Sequence, residues 1–386
     1  MAKKTYVGVN NIARNVSKMY VGVNGVARKV KKAYVGVNGV ARQFYRKVAT
    51  SVTKISGGLN FSYGMSEAIT AQNNDYVVFN GDSKTSASGS ASFPQTVNAF
   101  DKNLTRSVPT SLYGAENNGG AGISFSNHAC LIKTTYINSY DSSLTRTVHS
   151  ITHQFPSGTT TPPIATTMGD NCGIMMDCAG YLVAYNPQFT ETEIGRSVAD
   201  TRKWWDPESC TSFSNKSYFF DLGNPASTNY CSINQSLTLT NEGSYSTYSS
   251  AVHRVACGAT DDYVFCVGGM TEMGNYNSST ANGFAIDKNG TKIRTSITNV
   301  ANSFGGASSD DFFVCGGGRY TASSATKSMY RFDNSVTRTN VSQLDYNLVW
   351  NYGNAYWKGY FIFHNGRDQT NSINHINANL YQEQFN

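Results

Sequence analysis

Residues 99–107 read AFDKNLTRS, and residues 331–339 read RFDNSVTRT. In both stretches an Asp follows an aromatic residue, and an apolar residue, a Thr and an Arg follow after two further positions. An Asp or Asn in a similar setting recurs at intervals of 40, 45, 48, 53, 46 and 44 residues. Seven units of this length are typical of a β-propeller. These turn markers are Asp101, Asp141, Asn186, Asn234, Asp287, Asp333 and Asn377.

The residues around each marker predict four strands per unit. A Gly- and Ala-rich strand and an apolar strand come first, a third strand ends at the marker, and an outer strand follows. Asp and Asn suit this place because their side chains cap the backbone of a tight turn. We therefore predict an all-β chain with a seven-bladed propeller at residues 57–386. Only 15% of the residues of the whole chain are charged.

Two features of the propeller need separate mention. The pairs Gly268-Gly269 and Gly316-Gly317 end predicted second strands, which resembles the kelch-type propeller, whose blades carry a di-glycine at that point. The way the ring closes stays open. Either blade 7 completes itself with residues 380–385 as an outer strand, after a first inner strand near Leu59, or residues 47–56 add a strand to it.

A second repeat opens the chain. Tyr6, Tyr20 and Tyr34 stand fourteen residues apart, and each begins the phrase Tyr-Val-Gly-Val followed by a two-residue turn. Asn-Gly is suited to a type I′ hairpin turn because both residues tolerate positive φ. Each repeat is therefore predicted to form one β-hairpin. Two of the turns are Asn24-Gly25 and Asn38-Gly39.

The charge of the chain is divided unevenly. Residues 1–66 contain twelve Lys and Arg and no acidic residue, which leaves 19 basic against 25 acidic residues in the remainder. A disordered basic tail and a nucleic-acid arm are alternatives for the N-terminal segment. Val and Tyr at regular strand positions favour packing on another protein over both, and we expect no nucleic-acid partner.

Residues 20–42, YVGVNGVARKVKKAYVGVNGVAR, contain two copies of the repeated phrase and allow a comparison with a known class of proteins. Over residues 4–47 the chain resembles tail-associated proteins of bacteriophages and prophages of Gram-positive bacteria. The resemblance implies an attachment segment at 1–47, joined by a linker at 48–56 to the propeller, that docks on other tail or baseplate proteins of a virion or phage-like particle. A homotrimer and a single docking site for the three hairpins both fit this pattern.

The sequence also bears on the compartment. No signal peptide and no apolar run of transmembrane length are apparent, so we expect synthesis in a bacterial cytoplasm without membrane insertion. The eight Cys form no Cys-x-x-Cys pair and no zinc-like spacing with His, which predicts reduced thiols rather than disulfides.

No catalytic, metal or cofactor site is predicted. His149 and His153 lie four residues apart but in a strand-to-loop region, so they do not share a helix face as zinc ligands do. The pairs Asp261-Asp262 and Asp310-Asp311 recur at equivalent places and offer carboxylates for a glycosidase. Each pair also fits a polar turn that opens a second strand, and we favour that interpretation.

The predicted loops after second strands are rich in Ser, Thr, Gly, Asn and Tyr, as in binding surfaces that combine rigid aromatic groups with small polar ones. We expect a non-enzymatic adhesin that binds a host-surface glycan or protein through this loop face. A propeller enzyme that degrades or oxidises a surface polysaccharide and a purely structural tail component are the alternatives. Candidate ligand-binding residues are Tyr276, Arg319, Tyr320, Arg367, Trp204 and Trp205.

Overall fold

The structure is a computed structural model of the 386-residue chain. It describes the chain apart from residues 1–5, 10–11, 16–19, 24–25, 30–31, 38–39, 47, 63–65, 83–94, 114–119, 134, 154–162, 178, 197–208, 223–227, 251–252, 273–274, 300, 303, 322–323, 350–352, 365–366, 369–375 and 386.

Seven four-stranded antiparallel sheets form the blades of a propeller, which confirms the predicted fold class. We number the blades along the chain and give their strands from the inner to the outer. The strands are Ser66–Gln72, Tyr76–Asp82, Asn98–Asp101 and Arg106–Ser107 in blade 1; Ala121–Ser124, Ala129–Ile132, Tyr136–Tyr140 and Arg146–Ser150 in blade 2; Ile164–Met168, Cys172–Met176, Tyr181–Tyr185 and Glu191–Arg196 in blade 3; Cys210–Phe213, Lys216–Leu222, Asn229–Asn234 and Leu239–Ser244 in blade 4; Ala256–Ala259, Tyr263–Val267, Asn282–Asp287 and Lys292–Ser296 in blade 5; Gly305–Ser308, Phe312–Gly316, Met329–Asp333 and Arg338–Val341 in blade 6; and Ala355–Trp357, Tyr360–Phe363, Asn377–Gln384 and Ser51–Asn60 in blade 7.

The chain divides into two compact units, Met1–Thr53 with Glu383–Asn386 and Lys54–Gln382. In the first unit three two-stranded sheets follow one another. Each register ends at a Val with two residues between the paired strands, so the spacing matches the predicted hairpins; the turn residues Asn24, Gly25, Asn38 and Gly39 themselves lie outside the described residues. The strands are Tyr6–Val9 with Ile12–Asn15, Tyr20–Val23 with Val26–Lys29, and Lys32–Val37 with Val40–Arg46.

Blade 7 shows how the ring closes. Its outer strand, Ser51–Asn60, comes from before blade 1, so of the two expected routes the added N-terminal strand is the one that the chain uses. Leu59 consequently lies in an outer strand and not in an inner one, and the propeller begins before residue 57. The indole Nε1 of Trp357 in blade 7 donates to the backbone oxygen of Asp101 in blade 1 at 3.0 Å, which ties the two ends of the ring together.

The last of the seven markers was assigned wrongly. Asn377 begins the third strand of blade 7 instead of ending it. The strand register pairs Gln382 with Tyr360, as it pairs Asp101 with Tyr76 in blade 1. Gln382 is therefore the equivalent of the marker. No turn to a following outer strand is needed there, because that strand is supplied from residues 51–60.

The other six markers cap their turns in the predicted manner. In blade 2, Oδ1 of Asp141 accepts the N–H groups of Ser143 and Thr145 at 2.8 and 3.0 Å. In blade 5 the same two bonds, that from Thr291 foremost, hold the pKa of Asp287 below its ordinary value. The equivalent bonds recur at Asp101, Asn186, Asn234 and Asp333.

Three residues after each of these six markers the backbone is left-handed. Five of the six positions hold a large apolar residue, although positive φ costs such residues about 1–2 kcal/mol. Each of these five side chains packs against a buried apolar cluster, which offsets that strain. The six residues are Leu104, Leu144, Phe189, Leu237, Gly290 and Val336.

The Arg of the marker phrase joins neighbouring blades. The guanidinium of Arg106 donates to the backbone oxygen of Asn60, in the outer strand of blade 7, at 3.2 Å. Arg338 of blade 6 donates in the same way to Ser296 of blade 5 at 3.1 Å, and Arg146 donates to Ser111 in the connection before blade 2. In these three blades the marker phrase therefore contains a residue that caps the turn, an apolar residue that packs on a buried cluster, and an Arg that bonds toward the preceding blade.

Glycine allows the inner strands to approach closely. A Cβ on Gly258 of blade 5 would lie 2.2 Å from the ring of Phe313, and one on Gly306 of blade 6 would lie 2.3 Å from it. The fully buried Phe313 thus occupies the space that two absent side chains leave between the blades. The glycine-rich first strands of the sequence have this packing as their cause.

Candidate functional site

The topology separates the connections onto two faces of the disc. Because adjacent strands are antiparallel, the first-to-second and third-to-fourth turns share one face, which we call the turn face. The second-to-third loops and the links from one blade to the next share the opposite face, which we call the loop face. The four candidate binding residues that the structure describes all belong to connections of the loop face.

The links on the loop face are fastened to the residue three positions before the turn marker. In blade 2, Oδ1 of the fully buried Asn138 accepts the N–H of Tyr113 at 2.8 Å, and its Nδ2 donates to the Tyr113 oxygen at 3.3 Å. Asn98 accepts the N–H of Ser62 in blade 1, and Asn379 accepts that of Asp345 in blade 7. In three blades one buried amide thus fixes the link.

Tyrosine hydroxyls provide a second fastening in two of these blades. The hydroxyl of Tyr140 donates to the oxygen of Thr110 at 2.9 Å, and that of Tyr381 donates to Ser342 at 2.8 Å. Burial is the main cause that raises the pKa of both tyrosines. The hydroxyl therefore stays protonated as a donor, and each link is fixed at two points three residues apart.

These fixed links expose tyrosine rings. Tyr113 is 50% exposed and meets Tyr136 edge-on with ring centroids 4.9 Å apart. Tyr346, 38% exposed, follows Asp345, whose carboxylate lies 2.7 Å from the Lys54 ammonium. Both rings stand on backbone that hydrogen bonds hold in place, so little conformational entropy is lost when a ligand contacts them.

Blades 5 to 7 carry a further layer of short pairings on the loop face, which we call the platform. The strand Arg319–Thr321 pairs with Ser324–Ala325 and bridges to Asn302, while Leu348–Val349 pairs with Arg367–Asp368. The N–H of Gly318 donates to Leu348 at 2.8 Å and so joins the two pairs. The loops of blade 6 and the link to blade 7 are therefore one hydrogen-bonded layer.

The platform contains several of the predicted residues. Tyr320 is 41% exposed and Arg319 is half-buried. The 3₁₀ turn Tyr276–Ser278 lies beside the strand Arg319–Thr321, which brings Tyr276 and Tyr320 to one region, and Arg367 belongs to the strand pair with Leu348–Val349. Trp204 and Trp205 lie outside the described residues.

A His–Asp pair lies on the same face at blade 3. Nε2 of His153 is 2.9 Å from Oδ2 of Asp177, whose side chain is fully buried. Oδ1 of Asp177 accepts two backbone N–H groups, from Ala179 and Tyr181, at 2.8 Å each. The carboxylate is thereby fixed in place and orients the imidazole.

His149 is in a different environment, although it lies only four residues away. Its ring stacks on Phe189 with centroids 3.7 Å apart, and its Nε2 lies 3.0 Å from the Ser139 hydroxyl. Burial, with the neighbouring His128 as a second cause, lowers the pKa of His149. The two histidines therefore have different partners, Phe189 and Ser139 for His149 and Asp177 for His153.

A central channel with a volume of about 730 Å³ is lined by all seven inner strands. Hydroxyl groups of its wall hold neighbouring strands together: Ser124 Oγ accepts the N–H of Gln72, and Ser308 Oγ accepts that of Ala259. Asp261 and Asp310 lie at its turn-face mouth, where the Asp261 N–H donates to the Asp310 oxygen at 2.8 Å. Both Asp pairs thus belong to the polar turns expected for them.

Among the described residues, no group of three or more His, Cys, Asp and Glu side chains is arranged to hold a metal ion. The described part of the chain also has no helix long and apolar enough to span a membrane.

Tyr113 and Tyr346 were missed by the sequence reasoning. Both follow a buried Leu in a link, in TSLYG at 110–114 and SQLDYN at 342–347. The N–H groups of Leu112 and Leu344 donate to the backbone oxygens of Gln95 and Lys327, which lie two or three residues before a third strand. A Ser or Thr followed by Leu two residues later, after the outer strands of blades 1 and 6, is the signal that would have located these two links.

Comparisons with known proteins concern the fold. No protein-family model matches the sequence, and no curated protein matches it. Among solved structures, a streptogramin B lyase aligns with a TM-score of 0.54 and 11% identity over 86% of this chain and 98% of its own. Virginiamycin B lyase from Staphylococcus aureus aligns with a TM-score of 0.54 and 8% identity over 86% and 99% of the two chains.

A catalytically inactive variant of that lyase with quinupristin gives a TM-score of 0.51 and 9% identity over 86% and 99%. At these identities the likeness establishes the propeller fold alone. These neighbours are enzymes with a propeller fold, and their activity is a property of those proteins and is not assigned to this chain.

Proposed function

We propose that this protein is the receptor-binding component of a phage tail or phage-like particle, and that its loop face binds a glycan or protein on the surface of a bacterial host. The observation that carries the proposal is the set of exposed tyrosines on one face. Tyr113, Tyr320 and Tyr346 all project from connections of the loop face. Rigid aromatic side chains beside small polar groups are the composition of surfaces that bind by contact.

Attachment is the part of the proposal that rests on the N-terminal repeats. The three hairpins lie within residues 1–66, which contain twelve Lys and Arg and no acidic residue, and a lone two-stranded hairpin is marginal in water. Packing on other tail or baseplate proteins supplies the surface that they lack. Several copies on one particle would convert weak loop-face contacts into firm attachment through avidity.

The test is binding of the purified full chain to intact bacterial cells, comparing wild type with the triple variant Tyr113→Ala, Tyr320→Ala and Tyr346→Ala. We expect at least a tenfold loss of binding, since removing aromatic anchors from an interface costs about 2 kcal/mol or more. Ile293→Ala is the matched control, because Ile293 is an exposed apolar residue of an outer strand. Equal binding by wild type and the triple variant would reject the loop face as the receptor site.

The second candidate is an enzyme that acts on a surface polysaccharide, and the His153–Asp177 pair favours it. An imidazole oriented by a buried carboxylate is the arrangement of a general base or acid. The same full chain is incubated with purified surface polysaccharide, and new reducing or unsaturated sugar ends are measured. Release by wild type that His153→Ala abolishes would establish the enzyme, whereas binding without release supports the adhesin.

A further inference from the structure

Two cysteines of blade 5 lie directly opposite each other. Cys257 in the first strand pairs in register with Cys266 in the second, and no register shift interrupts this ladder. Side chains of directly opposed residues project from the same side of a sheet. Both residues are buried, with 4% and 2% exposure, in one apolar cluster with Val255, Val264 and Phe284.

The hydrogen bonds show which kind of pair this is. The N–H of Thr260 donates to Tyr263 at 2.8 Å, so this closing pair is hydrogen-bonded, and alternation along the ladder makes Cys257 and Cys266 a non-hydrogen-bonded pair. The ladder between the second and third strands agrees. The N–H of Gly268 donates to Asn282, so by the same alternation Cys266 and Phe284 are a hydrogen-bonded pair. The backbone N–H and C=O of Cys266 therefore point toward Phe284 and away from Cys257.

That geometry suits a covalent bond. Opposed residues of a non-hydrogen-bonded antiparallel pair have Cα atoms about 4.5 Å apart. A disulfide requires a Cα separation between about 4.4 and 6.8 Å. Among the cysteines that the structure describes, no other two are directly opposed in a ladder.

Blade 4 supplies a matched contrast. Cys210 and Cys231 are both opposite Phe219, one from each side, so a whole strand separates them. Two strand spacings amount to about 9.6 Å, which exceeds the range of a disulfide. The pair is buried in an apolar cluster as well, and it differs from the blade 5 pair in having a whole strand between its two residues.

We propose that Cys257 and Cys266 form a cross-strand disulfide when the folded protein meets an oxidising environment, so that the pair is a site of oxidative modification. With oxidised glutathione as the oxidant, one thiolate attacks the glutathione disulfide and releases one glutathione thiol. The second thiolate then attacks the mixed disulfide, forms the Cys257–Cys266 bond and releases the second glutathione thiol. The protein loses two protons and two electrons, and the oxidant gains them.

Burial makes the first step slow and the second fast. The oxidant reaches the first thiol only through local opening of the blade. Once the mixed disulfide exists, its partner is held a few ångströms away, so ring closure outruns release. The bond would join the inner strand of blade 5 to the strand that leads into the loop at Met270, which forms an isolated bridge with His253. Oxidation would therefore lock the base of that loop.

The test is thiol counting on the native full chain. The protein is incubated with oxidised glutathione, quenched in acid, denatured and alkylated, and its mass and peptides are analysed. Of the eight cysteines in the sequence, two should escape alkylation, and the peptides that contain residues 257 and 266 should be linked. Protein that retains all its alkylatable thiols, or that links other cysteines instead, would overturn the proposal.

Two variants keep the result interpretable. Cys257→Ser should abolish the loss of two thiols, whereas Cys210→Ser should leave that loss unchanged. If Cys257→Ser fails to fold, the linked peptide in wild type still decides the question, and chain denatured before oxidation shows what random pairing gives. The inference does not depend on the proposed function, since binding to cells is measured separately and on reduced protein.

Discussion

The two faces of the disc are built from different kinds of sequence. On the turn face, six blades repeat one solution: a capping Asp or Asn, then a left-handed residue that is apolar in five of the six, with an Arg two positions later in three blades. On the loop face, the fastenings that the structure describes vary from an Asn amide to a Tyr hydroxyl. The repeated contacts of the turn face hold neighbouring blades together, whereas the contacts of the loop face vary from blade to blade.

The largest effect that this contrast predicts comes from two adjacent residues of one link. Leu112 is 3% exposed and packs in the cluster between blades 1 and 2, whereas Tyr113 is 50% exposed. Leu112→Ala should lower the free energy of unfolding by about 2–5 kcal/mol, since it removes a buried side chain and leaves a cavity. Tyr113→Ala should change it by no more than about 0.5 kcal/mol. Urea unfolding followed by fluorescence measures both, and equal losses would contradict the division between support and recognition.

The turn cap should have the next largest effect. Asp141→Ala removes the acceptor of two backbone N–H groups, and we expect a loss of about 1–3 kcal/mol in the free energy of unfolding. Asp141→Asn should restore most of it, because Asn186 and Asn234 cap the equivalent turns with an amide oxygen. The same denaturant titration reports the difference, and an Asn variant as unstable as the Ala variant would mean that charge and not capping is what the turn needs.

The local part of this design was visible in the sequence. A cap acts on residues two and four positions away, so Asp101 and its equivalents reveal themselves in a window of nine residues. Asn377 fits the spacing of the other markers, but the prediction that it caps a turn is wrong. The outer strand of its blade comes from residues 51–60, so no turn follows the third strand there.

Non-local contacts explain what the sequence did not show. Tyr113 is fixed by Asn138, 25 residues away, and Asp345 by Asn379, 34 residues away, so the residues near either link do not show what holds its backbone in place. The sequence placed Arg319 and Tyr320 in a second-to-third loop, where the structure has them. Their union with Leu348–Val349 and Arg367–Asp368 in one layer depends on pairings between separate blades, which periodicity does not encode.

A smaller effect is expected in blade 5, where the left-handed position of the turn holds a glycine instead of a large apolar residue. Gly290 takes the left-handed position in blade 5, and a Cβ built there meets nothing within 4 Å. Gly290→Ala should therefore destabilise by about 1 kcal/mol, since it adds strain without packing. Leu144→Gly relieves the same strain but loses the apolar contact, so its net effect should also stay within about 1–2 kcal/mol. Thermal unfolding of both variants compares the backbone strain with the apolar contact. A stabilised Leu144→Gly variant would show that the packing of the Leu144 side chain does not offset the strain of its left-handed backbone.

The smallest expected effect is a pH dependence from the stacked histidine. Burial lowers the pKa of His149 in the folded protein, so the unfolded chain binds the proton more readily. The contribution of His149 to stability is present above the ordinary histidine pKa of 6.5 and is lost as the pH falls through the lowered value. His149→Phe keeps a ring on Phe189 and removes the titration of this site. Lowering the pH from 7.5 to 5.5 should therefore decrease the unfolding midpoint of wild type more than that of the variant. A difference between the two midpoints that stays constant over this range would show that protonation of His149 is not coupled to folding.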